Sequence, residues 1–326
     1  MNLLEQQAAN RRRTWLVMAV FIGFLAFIGA GFDVLILGQG GVYIPVGTIL
    51  ALVVGFGSAW VTMRTGDRMV LASASAVPIG QRITEAASDD DRLRYTQFQN
   101  IVDEMAIAAG VPSPKAYIVP DVDPNAFATG RDPDHASIAV TEGLLRSLDR
   151  EELQGVVAHE MGHVRNLDIR LMMIVAALVG GVVLLADWSG RIMRFGIGGG
   201  SRSRKGKNAA PLMAVFFVIW IISIVVAPLV ARLLALWVSR TREYQADASG
   251  AELTRNPGGL ASALKKIEGA AAPTEAIKRG SALLCIADPM GLAVNQKESA
   301  LANLWATHPP MAKRIAVLEA MAYQRT

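Results

Sequence analysis

Residues 156–172 read VVAHEMGHVRNLDIRLM, and three of them are spaced to do chemistry together. His159 and His163 are four apart, so a helix puts both imidazoles on one face, where they can reach one metal ion. Glu160 lies beside them, free to take a proton from a metal-activated water. This is HExxH, the zinc metalloprotease arrangement. The competing reading is a helix that merely happens to carry two of the chain's 4 histidines. Val156, Val157 and Ala158 bury one side of the helix, and Gly162 leaves room close to the site.

Two histidines do not complete such a centre, because catalytic zinc takes three protein ligands and keeps a position open for water. The extended HExxHxxGxxH form is absent, since Asn166 and Ile169 stand where Gly and His would be. Asp168 is expected to point off the metal face, so the third ligand must come from farther along. The stretch SRTREYQADAS offers Glu243, with Asp247 one helical turn later on the same face. Glu243 would ligate, and Asp247 would accept the free N–H of a ligating histidine. The plainer alternative for this pair is a solvated acidic helix face. The ligand types imply Zn2+, one ion per chain.

The elements that must position these groups are of two kinds. Hydrophobic residues make up 52% of the 326 and charged residues 18%, a tilt from ordinary globular composition toward membrane. The apolar residues come in blocks. Residues 14–32, 42–63, 171–186 and 211–231 are four uncharged runs, of which all but the third reach the roughly 20 helical residues that cross a hydrocarbon core. Arg11–Arg13 and Arg64/Arg68 flank the first pair, while the turn around Asp33 and the GQGG at 38–41 has no Lys or Arg. The N-terminus and residue 64 onward should therefore be cytoplasmic. The 187–210 loop holds six basic residues, which opposes full crossing by both runs of the second pair; a re-entrant hairpin is the alternative.

The chain thus divides into a membrane hairpin at 1–63, a first protease segment at 64–170, a second hairpin at 171–238 and a second protease segment at 239–326. Within 64–170, residues 91–110 read as an amphipathic helix stopped at Gly110, 115–120 and 136–141 as short strands, and 147–166 as a helix capped by Ser147 or Asp149. Residues 239–326 read as three helical stretches. The fold class expected is a mainly α membrane protein with four transmembrane helices and an α+β gluzincin-like domain built from two sequence segments. A net charge of +4, with the basic residues beside apolar blocks, argues for a membrane surface and against nucleic acid. A single cysteine, Cys285, excludes an intramolecular disulfide and reads as a small buried apolar residue.

With RMVL (68–71), PNAFATGRDP (124–133), REELQGVVAHEMGHVRNLD (150–168), TREYQAD (241–247) and THPPMAKRI (307–315) in this order, the chain resembles the HtpX-like family of membrane zinc metalloproteases, related to the CAAX prenyl proteases. The resemblance implies a zinc endopeptidase of the bacterial cytoplasmic membrane, its site facing the cytosol, acting in quality control of membrane proteins. By position it assigns His159, His163 and Glu243 as zinc ligands and Glu160 as catalytic base. It brings His308 near the metal, either as a donor to the oxyanion or in the open position of a resting state; a capping or packing role is the alternative. Asn125, Ala126, Phe127 and Ala128 could form an exposed strand edge that pairs with substrate backbone, or an ordinary core strand. The long Gly/Arg/Lys-rich loop at 190–208 and the start MNLLEQQAANRRR depart from the family pattern.

The partners expected are protein or peptide substrates and the lipid bilayer. Two rival functions come from other classes. A non-proteolytic membrane chaperone or scaffold would hold a structural zinc, but structural sites are normally closed by four protein ligands. A transporter would carry ionisable residues within its spans, and these runs have almost none.

Overall fold

The computed structural model describes residues 3–37, 45–175, 240–270, 274, 276, 284–287 and 309–323. The first apolar run lies within helix α1 (Leu3–Leu37), and the second within α2 (Val46–Ser73). Asp33 does not open the turn, as the sequence suggested; α1 continues past it. Its carboxylate instead accepts the backbone N–H groups of Gly47 and Thr48 at 2.7 and 2.9 Å and the Thr48 hydroxyl at 2.7 Å. These first-turn N–H groups have no partner within their own helix, so Asp33 ties the end of α1 to the start of α2. Nor does α2 stop at the expected boundary after residue 63; it runs unbroken to Ser73.

Among the described residues α2 is the one helix long and apolar enough to cross a membrane by length and composition. Of the third expected segment only 171–175 is described, and it is helical. The fourth segment and the basic 187–210 loop lie outside the described residues.

After β1 (Val77–Pro78) and α3 (Ile79–Thr84), Ser88 accepts the Asp91 N–H to start α4 (Asp89–Ala109). Gly110 ends that helix at φ 67°, a left-handed cap that costs glycine nothing. The expected strands appear as β2 (Lys115–Val119) and β4 (Ser137–Thr141), with β3 (Ala126–Thr129) between them in sequence. The sheet order is β1-β2-β4-β3. β2 runs parallel to β4, with Tyr117 opposite Ala139, while β3 is antiparallel to β4 with Phe127 opposite the same residue.

The single helix expected from Ser147 or Asp149 is two. Ser147 ends α5 (Glu142–Ser147), and Asp149 caps α6 (Arg150–Arg165) in a reciprocal box with Glu152. In the last segment come α7 (Arg240–Thr254), α8 (Pro257–Glu268) and α9 (Met311–Tyr323). One core joins both protease segments: Phe98, Ile118, Ile138, Val156 and Met161 pack in the same cluster as Leu260, Leu264, Ile315 and Leu318. The α6 helix lies in the middle of it.

Candidate metal centre

Because α6 is surrounded by core, nearly every side chain from Leu153 to Val164 is buried, the HExxH residues included. The rings of His159 and His163 stand edge to face with centroids 4.9 Å apart. Helix α7 crosses close over them, because Gly250 faces the His159 backbone, where a methyl group would sit only 3.2 Å from the nitrogen. That close approach delivers Glu243. Its carboxylate oxygens lie 3.7 Å from His159 Nε2 and 3.6 Å from His163 Nε2, and one ligand atom from each of the three residues falls within 4.8 Å of the others. Tetrahedral zinc with bonds of about 2.0–2.1 Å sets its ligands roughly 3.4 Å apart, so small adjustments would close the set on an ion.

The other ring nitrogens are engaged. His159 Nδ1 is 2.9 Å from Asp247 Oδ1, and His163 Nδ1 is 3.2 Å from Asp168 Oδ2. A histidine that donates from Nδ1 presents Nε2 with its lone pair to a metal. The reading of Asp168 as turned away from the site is therefore corrected. The chain leaves α6 through Leu167, which has φ 60°, and this left-handed turn swings Asp168 back toward His163. A pattern that assumed a continuing helix could not register such a reversal.

Arg314 is the functional candidate that sequence reasoning missed. Fully buried on α9, it donates Nε and Nη2 to the two Asp247 oxygens at 2.8 and 2.7 Å and places Nη1 3.3 Å from Glu243. A signal was present: Arg314 falls on the same helix face as Met311, Ile315 and Leu318, the buried stripe of α9, where a charge requires a partner.

Burial pushes Glu160 up to about 7, the His163 charge pulling against it and the Glu243 carboxylate adding to it. Neither Glu160 oxygen has a hydrogen-bond partner of normal geometry among the described residues. Burial pulls His163 down, but the bond to Asp168 and the Glu243 charge outweigh it and raise the imidazole to about 9. Burial holds His159 low despite Asp247, and Arg314 keeps Asp247 below the usual carboxylate range against the effect of its burial. Without a metal His163 holds a proton, which an ion on its Nε2 would replace. With both imidazoles then neutral and Glu160 ionised, four buried carboxylates (Glu160, Asp168, Glu243, Asp247) against two buried guanidiniums, Arg242 and Arg314, leave two negative charges for a divalent cation. The residues present fit a zinc ion.

The strand expected to offer an exposed edge is placed differently. β3 is the edge of the sheet, but Ala126, Phe127, Ala128 and Thr129 are all buried. Cys285 bridges to Phe127 and the Ile286 N–H donates to the Ala126 carbonyl at 2.9 Å, so the chain itself covers part of the edge. The Asn125 amide donates to the Ala287 carbonyl at 3.2 Å and holds that cover in place. His308 lies outside the described residues. His135 is exposed, beside Arg131 and Asp132.

A family model described as peptidase family M48 matches residues 92–322, a span that includes all of these groups. The chain belongs to peptidase family M48, in its HtpX-like branch. Relatives named protease HtpX homolog include one from Thermoanaerobacter pseudethanolicus, 40% identical over 98% of both chains. Another, from Limosilactobacillus fermentum, is 41% identical over 98% of this chain and 100% of its own. Among solved structures, S. mikatae Ste24p superposes with a TM-score of 0.47 at 18% identity, covering 94% of this chain and 66% of that one.

Proposed function

We propose that the chain is a membrane-embedded zinc endopeptidase in which His159, His163 and Glu243 hold the metal and Glu160 moves the proton. The observation that carries this reading is the meeting of both Nε2 atoms with the Glu243 carboxylate beside a buried glutamate whose oxygens have no hydrogen-bond partner of normal geometry among the described residues. When bound, zinc supplies Lewis acidity, polarising the scissile carbonyl and making a water more acidic. Glu160 accepts the proton of the attacking water, and its elevated pKa lets it return that proton to the leaving amine. Asp247 and Asp168 keep the imidazoles in the ligating tautomer, and Arg314 keeps Asp247 charged and in place.

Several observations support the membrane part of the reading. Leu50, Phe56 and Trp60 on α2 are about 60% exposed, and an apolar face of that extent is stable in lipid but not in water. The basic flanks Arg11–Arg13 and Arg64/Arg68 are exposed at the end of the hairpin that meets the site: Gln7 donates to the Arg165 carbonyl at 2.8 Å, and Val70 and Leu71 pack with Phe127 and Met172. The positive-inside tendency supports a cytosolic side for that end, and in the proposed reading the centre works at the cytosolic surface of the bacterial inner membrane on damaged membrane proteins.

Glu160→Gln tests the chemistry. The variant is expected to retain one equivalent of zinc and to lose casein and self-cleavage by at least 100-fold, on the order of what positioned proton transfer contributes. Cleavage retained by a contaminant-free preparation would remove Glu160 as the base; zinc bound by the wild type without any cleavage would favour the scaffold function.

A further inference from the structure

The N-terminal helix does more than enter the membrane. Up to the start of its apolar run, α1 carries Gln7, Asn10 and Thr14 on one face, and Asn10 and Thr14 are buried. Polar groups are rarely buried without a bonded partner, and the partners of this row lie at the exit from α6. The Asn10 Nδ2 donates to the Asp168 Oδ1 at 2.7 Å and to the Asn166 carbonyl at 2.9 Å. The Gln7 amide takes the next carbonyl back, that of Arg165. Thr14 donates to the Asn10 carbonyl at 2.9 Å, fixing the turn of α1 from which Asn10 projects.

These bonds converge on the left-handed turn at Leu167. A non-glycine residue holds such a conformation only where its surroundings impose it. Here the Asn166 carbonyl on its N-terminal side and the Asp168 carboxylate on its C-terminal side are gripped by one amide, that of Asn10. The other Asp168 oxygen, Oδ2, is the one that faces His163 Nδ1. The Arg242 guanidinium approaches Oδ1 as well, but at 3.5 Å, farther than the Asn10 amide.

We propose that Asn10 is a positioning residue for the metal centre, orienting Asp168 and through it the imidazole of His163. The proposal rests on the reading of His163 as a metal ligand. It makes the first turns of α1 part of the machinery on which hydrolysis depends, although they lie more than 150 residues away in sequence. Groups that orient a ligating histidine typically change metal affinity by about 10–100-fold when removed.

The test is zinc affinity by chelator competition on folded, detergent-purified full chain, with peptide hydrolysis measured in parallel. Asn10→Ala is expected to weaken zinc binding about 10-fold or more and to lower kcat with KM little changed. Asn10→Asp keeps the shape of the side chain but sets a carboxylate against Asp168, and is expected to bind zinc more weakly than Asn10→Ala. In an Asp168→Asn background, Asn10→Ala should cost almost nothing further, because the group through which it acts has gone. Zinc affinity within about 2-fold of wild type in Asn10→Ala, or equal in Asn10→Asp and wild type, would overturn the proposal and leave Asn10 a packing contact. If Asn10→Ala does not fold, Asn10→Ser is measured against the same thresholds. A wild type that binds no zinc would instead overturn the reading of the site.

Discussion

Each histidine of the HExxH pair is held from behind by a carboxylate, and the two carboxylates are held differently. Asp168 is gripped by a neutral amide and approached by Arg242, while Asp247 is clamped on both oxygens by one guanidinium. Removing that guanidinium strands a buried charge, which costs about 3–5 kcal/mol. Arg314→Met is accordingly expected to lower unfolding stability by about this amount and to weaken zinc binding, and Arg314→Met/Asp247→Leu should recover much of the stability but not the zinc. Calorimetric or denaturant unfolding of both variants checks this; a double variant no more stable than the single one would contradict the clamp. At this scale the sequence was most legible where one helix carried the pattern. His159 and His163 share a face by spacing alone with Glu160 beside them, and the one-turn spacing from Glu243 placed Asp247. Arg314 and Asn10 were not legible as partners, because their positions depend on how α9 and α1 dock. Asp168 was misread because a single positive φ reverses the chain.

Helix α6 must start at a fixed register if its histidines are to meet α7. Its start is fixed by the Asp149–Glu152 box, and Glu152 is further bonded by Ser262 at 2.7 Å and Lys266 at 2.6 Å from α8. Burial raises the Glu152 pKa, but the Lys266 and Ser262 bonds and the Asp149 N–H outweigh it and leave the carboxyl below its ordinary value. A pKa lower in the folded state means the stabilisation is full above the unfolded value of about 4.3 and is lost as pH falls through the folded one. Glu152→Gln is therefore expected to destabilise by about 1–3 kcal/mol at pH 7, and the gap from wild type should shrink toward pH 3. A thermal unfolding series over that range is the measurement; a gap that stays constant would show that charge is not what Glu152 contributes. The N-cap was one of two the sequence allowed. It could not choose between Ser147 and Asp149, because the choice depends on where α5 ends, and that is set by packing of Leu144 and Leu145 in the core. The exposure expected for β3 failed for a similar reason. The pattern identifies a strand beside turns, but what covers its edge comes from Cys285 and Ile286, more than 150 residues on.

For the whole molecule, hydropathy gave the N-terminal pair as helices, and the two-segment protease domain follows from where the ligands lie. The exposed face of α2 provides a check on the membrane reading. Val54 is 53% exposed near the middle of its apolar stretch, and a lysine at the centre of a span costs about 2.5–3.5 kcal/mol. Val54→Lys is expected to reduce the fraction of protein that resists alkaline extraction from membranes, whereas the same change at Arg68, made as Arg68→Lys, should leave it unaltered. Equal extraction of both would argue that α2 does not sit in lipid. The shared core has a consequence for how the enzyme comes into being. His159 and His163 are synthesised about 150 residues before Arg314, and Glu243 lies between; at translation rates of about 5–20 residues per second, that interval lasts roughly 8–30 s. During it the nascent chain has the HExxH histidines but neither Arg314 nor the Ile315 side chain that packs in the core around α6. On the proposed reading, a peptidase assembled in this order gains the Arg314 clamp on Asp247 only when its last described helix docks.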